Sequence, residues 1–274
     1  MRRLARRIRA RSRGALAPSP LSSVRRVVAP NPGPYTGPGT NTWILGDEPV
    51  LAVIDPGPDD DAHLAAIERK LGAAQVGVIL VTHSHPDHLP LAEKLSASRQ
   101  ARVAHWPELA DGDLVRVGQL ELQALHTPGH AADHLCFWLP SDRVLFTGDL
   151  ILGRGSSMVT YPEGDVAAYL RSLERVALLE PRMLFPGHWD PVADAAGKIA
   201  EYRTHRLARE RQVVHELEAG GPGTAAVLTR RVYGREVEGE ELLRAAEMTL
   251  RAHLKKLLDE GRVRLAGEVY ALER

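Results

Sequence analysis

A chain of 274 residues, 44% of them apolar, has room for one large core or for a main domain and a smaller one. Its single cysteine, Cys136, excludes a disulfide framework and fits a reducing compartment. The 35 basic and 35 acidic residues cancel only overall: residues 1–26 hold nine arginines and no acid, residues 27–196 hold 11 basic against 22 acidic side chains, and residues 197–274 hold 15 against 13.

The arginine-rich head (1–26) lacks an extended apolar run, so it is neither a secretory signal nor a membrane span. It reads as a disordered tail of a cytoplasmic protein, with a mitochondrial targeting peptide as the alternative. Proline and glycine crowd positions 30–39, and TNTWILG and VLAVIDPG then read as two strands joined through Gly46, Asp47, Glu48 and Pro49. DAHLAAIERKLG (61–72) is an amphipathic helix ended by Gly72. From there a pattern repeats. AVI precedes Asp55, VIL precedes a histidine cluster, LELQAL precedes HTPGH, VLF precedes TGD and MLF precedes PGH, with helices near 88–98 and 165–180. Strand ends that deliver polar side chains onto loops build a site on a rigid scaffold. This patterning specifies a layered α/β domain over 27–196.

Composition shifts near 197. KIAEYRTHRLARERQVVHELEAG, AAVLTRRVYG and EGEELLRAAEMTLRAHLKKLLDEG are helical; Leu243, Ala246, Leu250, Leu254 and Leu257 form one apolar stripe, and Gly261 caps the end. VRLAGEVYAL follows as a hairpin around Ala266-Gly267. Three helices and a hairpin over 197–274 is the plan of a winged helix domain.

VTHSHPDHLP (81–90) places His83, His85, Asp87 and His88 within six positions. A solvated face gains nothing from this cluster and a dry core would have to desolvate the aspartate, so a metal ion is the economical occupant. Further donors follow on glycine-containing loops: His130 in TPGH, Asp149 in TGD and His188 in PGH. One zinc ion takes four or five donors, whereas two ions sharing a carboxylate and a water accommodate all seven. The expected arrangement puts His83, His85 and His130 on one ion and Asp87, His88 and His188 on the other. Asp149 bridges, together with a hydroxide. Zinc is the first expectation; the same donors suit manganese, iron and cobalt. Two such ions lower the pKa of bound water toward about 7 and stabilise developing negative charge, which is the chemistry of hydrolysis. Asp87 and Asp149 would orient the attacking hydroxide. No GxSxG and no dinucleotide-binding fingerprint occur, and Cys136 sits in the core-like run LCFWL.

His83-Ser84-His85-Pro86-Asp87-His88 resembles the HxHxDH signature of the metallo-beta-lactamase superfamily, and His130, Asp149 and His188 follow in that family's order. The resemblance implies an αββα sandwich, the ligand set given above and a hydrolytic activity. PNPGPYTGPGTNTWILG, DPG at 55–57, TPGHAADH and AEMTLRAHLKKLLDEGRV are similar to the lactamase-beta-2-like branch, which carries a C-terminal winged helix. The mitochondrial member of that branch resembles a single-strand-specific endoribonuclease. Two departures stand out: Leu89-Pro90 where the family often has two glycines, and Gly187-His188-Trp189 where it often has GHG.

Around these donors, Asp55 is expected to accept a bond from the far nitrogen of a ligand histidine, or else to serve the DPG turn. Asp133 and His134 are expected to bond locally, with a contact to ligand or substrate as the alternative. Thr82 and Thr127 are expected to bond loop backbone. Arg154, in LGRGSS, is the basic residue best placed to orient a substrate anion. The expected substrate is a small ester, thioester or lactone, or single-stranded RNA. Sequence-specific DNA binding is not expected, because the tail's balance is only +2 from 15 basic and 13 acidic residues. The tail is expected to shape the cleft and to support a homodimer. A regulator with structural metals and a flavin-linked iron oxidoreductase are the competing classes; no flavodoxin-like segment follows the core.

Overall fold

The computed structural model describes residues 23–234, 237 and 239–273, so the arginine-rich head lies outside the described residues except for its last four positions. Those four correct its boundary. Strand β1 (Val24–Val28) contains Arg25 and Arg26, and Arg26 Nη1 donates to Asp190 Oδ1 at 2.8 Å. Arginines on a sheet edge look like a basic tail in sequence, because their partners lie far along the chain.

β1, β2 (Asn41–Leu45), β3 (Val50–Ile54), β4 (Gln75–Leu80) and β5 (Arg102–Ala104) form the first sheet in that order, antiparallel up to β3 and parallel beyond it. The second sheet has the order β10-β9-β8-β7-β6, from β6 (Leu114–Val117), β7 (Leu120–His126), β8 (Leu135–Leu139), β9 (Val144–Gly148) and β10 (Met183–Pro186). Only β9 and β10 run parallel there.

Three apolar layers hold the sheets. Trp43, Ile54, Leu80, Phe137, Phe146 and Phe185 fill the space between them. Helices α1 (Asp61–Leu71) and α2 (Leu91–Arg99) cover the outer face of the first sheet, burying Ile67, Leu71 and Leu95 against Val53 and Ile79. On the second sheet, α3 (Val166–Ala177) and the first half of α4 (Ala195–Gly220) bury Leu173, Ile199 and Tyr202 against Leu125, Cys136 and Leu184. Strands covered on both faces need apolar residues at every position, which explains the unbroken run LCFWL. Side chains of Asp60, Asp165 and Asp194 accept backbone N–H groups at the starts of α1, α3 and α4. This is the expected αββα sandwich.

The C-terminal part is the expected winged helix. α5 (Ala225–Tyr233), α6 (Glu240–Asp259) and the end of α4 enclose Val213, Leu217, Leu228, Leu250, Leu254 and Leu257. A sheet β11-β13-β12 closes it, from β11 (Gly223–Thr224), β12 (Val263–Ala266) and β13 (Val269–Leu272). Ala266 pairs with Val269, so the hairpin turns at Gly267-Glu268, one residue beyond the expected pair, with Gly267 at φ +61°. Helix α4 runs straight through residue 197 and contributes side chains to two cores. No helix among the described residues is long and apolar enough to cross a membrane.

Candidate metal centre

The seven expected donors meet at one edge of the sandwich. Parallel strands β3 and β4 end side by side, with Asp55 N donating to Leu80 O at 2.9 Å, and release Asp55 and the 83–88 loop there. Parallel β9 and β10 release Asp149 and His188. Asn41 N donates to Gly187 O at 2.7 Å and Leu135 N to Thr82 O at 2.6 Å, tying the two sheets together beside the site.

The donors form two groups, linked by a third that takes His83, His88 and Asp149. In one, His85 Nδ1 lies 3.0 Å from His83 Nε2 and 3.1 Å from His130 Nε2. In the other, Asp87 Oδ2 lies 3.2 Å from His188 Nε2 and 3.5 Å from His88 Nε2. Asp149 reaches both: Oδ2 is 3.8 Å from His130 Nε2 and 3.4 Å from His188 Nε2, and Oδ1 is 3.5 Å from His88 Nε2. Donors about 2.0–2.1 Å from a tetrahedral ion sit roughly 3.3 Å from one another, and these separations cluster there. His88 Nε2 and Asp149 Oδ1 are moreover buried without a hydrogen-bond partner among the described residues. Orphaned buried polar atoms facing each other are costly unless something positive lies between them. The residues fit divalent cations.

The far ring nitrogens tell the same story. His88 Nδ1 donates to Asp55 Oδ2 at 2.9 Å and His130 Nδ1 to Met158 O at 2.6 Å. His188 Nδ1 faces Gly39 O at 3.3 Å and His85 Nε2 faces Glu163 Oε1 at 3.0 Å. Thr82 donates its hydroxyl to Asp55 Oδ2 at 2.8 Å and so accepts from His83 Nδ1 at 3.0 Å. Each outward nitrogen has an acceptor, which turns the lone pair of the other nitrogen inward.

Asp55 is thus the acceptor that holds His88, at φ +51°, a conformation aspartate tolerates. Asp133 Oδ2 accepts Ser84 N at 3.0 Å and fixes the 83–88 loop. His134 packs directly behind the donors, its ring centre 5.2 Å from that of His83: its Nε2 accepts Asp149 N at 3.1 Å and its Nδ1 meets Thr127 Oγ1 at 2.9 Å. Thr127 also donates to Leu125 O at 3.4 Å, as expected of a loop threonine, whereas the Thr82 hydroxyl serves side chains instead of loop backbone. Sequence reading missed Thr40, whose hydroxyl donates to Asp87 Oδ2 at 3.2 Å while Asn31 Nδ2 donates to Thr40 Oγ1 at 3.0 Å. It also missed Glu163. Neither carried a signal beyond its place in a glycine-rich or loop segment.

Without cations the donors polarise one another. Burial lowers His83 and His130, keeping both neutral. Burial would also lower His88 and His188, but Asp55 and Asp149 raise His88 to about 9, and Asp149 with Asp87 raises His188 to about 10. Burial pushes Asp87 up, yet its bond to His188 and the nearby His88 bring it down to about 2. Cys136 is buried away from this site, and burial lifts its thiol to about 12.

A cleft of about 690 Å³ opens over the donors. Its walls include Tyr35, Leu152, Met158 and Trp189, and among the described residues Arg154 is the one arginine or lysine that lines it. Trp189 has φ +64°, and a Cβ at Gly37 would fall inside its indole ring. The loop 33–39 can approach only because position 37 lacks a side chain. Position 189 itself calls for glycine's conformational freedom, the physical reason a GHG pattern suits this turn.

Residues 35–111 and 102–188 match the metallo-beta-lactamase superfamily, and residues 224–270 match the beta-lactamase associated winged helix domain. The chain belongs to the metallo-beta-lactamase superfamily, in its lactamase-beta-2-like branch. It is 31% identical over 258 residues to the beta-lactamase-like protein 2 homolog of Caenorhabditis elegans, covering 87% of this chain and 85% of that one. It is also 30% identical over 264 residues to an atrochrysone carboxyl ACP thioesterase of Cryptosporiopsis, covering 88% and 81%. A metallo-beta-lactamase family protein from Thermus thermophilus superposes with a TM-score of 0.78 at 27% identity, over 92% of this chain and 99% of that one.

Proposed function

We propose that the protein is a dinuclear metal-dependent hydrolase of acyl thioesters. The observation that carries this is the inward convergence of five imidazoles and two carboxylates, each imidazole held from outside by its own acceptor. In this reading His83, His85 and His130 would hold one ion and Asp87, His88 and His188 the other, with Asp149 within reach of both groups. Ions held there supply acidified water and a Lewis acid for the scissile carbonyl. Zinc is the first candidate, with manganese, iron and cobalt admitted by the same donors.

The chain's own residues set up the rest. Asp149, steadied through its backbone by His134, lies between the two groups, and Asp87, steadied by Thr40, stands in the second; together they would orient the attacking water. Tyr35, Leu152, Met158 and Trp189 offer the acyl group an apolar wall and keep bulk water off it. Arg154, exposed and without an acidic partner among the described residues, is placed to meet an anion on the substrate. The thioesterase name of one relative supports the same class.

An RNA substrate draws less support. Basic side chains of and just after α6 are committed to acids: Arg244 to Glu240, Arg251 to Glu247, Lys255 to Asp259, and Lys256 and Arg262 to Glu210. A phosphate backbone would have to compete for each one. Metal-loaded protein should therefore hydrolyse aromatic acyl thioesters and leave single-stranded RNA intact, with Asp149→Asn as the inactive control. RNA cleavage abolished by that substitution, with thioesters untouched, would reassign the substrate. Failure to take up any metal would end the reading.

A further inference from the structure

Arg206 on α4 is only 2% exposed, and among the described residues no carboxylate pairs with it. Its guanidinium carbon stands 5.1 Å from the ring centre of Tyr169, and its Nη2 donates to Ser157 O. A buried charge without a counter-ion is expensive, and a cation–π contact offsets only part of that. What the arginine holds explains its retention. Ser157 Oγ donates to Asp149 O at 2.5 Å, and the next carbonyl, Met158 O, accepts from His130 Nδ1 at 2.6 Å. One helical turn before Arg206, Tyr202 Oη accepts Leu152 N at 2.9 Å. Helix α4 thereby grips Leu152 and Ser157, the segment that runs from Asp149 to the carbonyl that locks His130. The later half of the same helix supplies Val213 and Leu217 to the winged helix core.

We propose that Arg206 is a positioning residue through which helix α4 sets the ion affinity of the His83–His85–His130 group. The inference rests on the two-ion reading above. It makes the first half of α4 part of the support of the metal centre.

The test uses full-length protein loaded with cobalt, comparing wild type, Arg206→Met, Arg206→Lys and Leu228→Ala. Leu228 is buried in the winged helix core, so its truncation loosens that domain without touching the brace. Arg206→Met is expected to surrender one of two ions to a chelator about ten-fold more readily and to alter the visible cobalt spectrum. Arg206→Lys should recover most of both, and Leu228→Ala should change neither. If Arg206→Met does not fold, hydrogen exchange on wild type decides. By reciprocity, chelation should deprotect residues 149–158 and 202–206 and spare the second half of α1. Unchanged ion retention and spectrum in folded Arg206→Met overturns the proposal, as does an equal change in Leu228→Ala or uniform deprotection. A wild type that binds no ion removes the two-ion reading first, and this inference with it.

Discussion

Oδ2 of Asp55 lies 2.9 Å from His88 Nδ1 and 2.8 Å from Thr82 Oγ1, so one buried carboxylate orients His88 directly and His83 through the threonine. Asp55→Asn keeps the shape and loses the charge. Ion affinity is expected to fall about 10- to 100-fold while the fold survives, measured by chelator competition alongside circular dichroism.

The raised values of His88, about 9, and His188, about 10, fix a pH dependence for the ion-free protein. Both lie above the unfolded value of 6.5, so the stability they contribute is complete below pH 6.5 and is lost as pH rises through 9 to 10. Stripped protein should therefore melt earlier at pH 10 than at pH 7. Cations displace those same protons, so uptake at pH 7 should release protons, visible as buffer-dependent calorimetric heats. Equal heats in buffers of different ionisation enthalpy would contradict this.

Trp189→Gly removes a side chain from a left-handed position, which recovers roughly 1–2 kcal/mol of backbone strain against the lost ring packing. Thermal stability should move little. The cleft loses one wall, so KM for an aromatic thioester should rise several-fold more than KM for an acetyl thioester.

Arg154→Gln should weaken only substrates bearing a carboxylate or phosphate. One charge-assisted bond is worth about 1.5–3 kcal/mol, which sets an expected loss in kcat/KM of about ten-fold or more. A neutral thioester should be hydrolysed at the wild-type rate.

His253, in α6, is fully buried with both ring nitrogens unpartnered among the described residues, and burial together with Arg206 and Arg209 lowers it to about 3. A depressed histidine contributes stability above its unfolded value of 6.5 that drains away as pH falls toward 3. His253→Leu should flatten the acid limb of the stability curve. It should also raise stability at pH 7 by about 1–2 kcal/mol, since two unsatisfied polar atoms disappear.

The donors were legible in the sequence because each follows a strand-like run and four of them share one loop, so spacing alone gathers most of the constellation. The winged helix was legible for a similar reason, from the stripe Ala246, Leu250, Leu254 and Leu257. What holds the donors in place was not. Thr40 meets Asp87 across 47 positions, and His85 meets Glu163 across 78. Such pairs obey no local period, and only the closing of two sheets onto one edge brings them together. Arg26 escaped for the same reason, since its partner Asp190 lies 164 residues away.

Helix α4 feeds two hydrophobic cores with one continuous rod. Each residue turns the rod by about 100°, so an insertion of a single residue between Tyr202 and Val213 would aim one set of apolar side chains away from its core. The spacing between those positions is consequently a fixed dimension of the molecule. A lengthened or shortened linker is not an innocent change here, and the tail cannot be handed to another scaffold as a loose cassette.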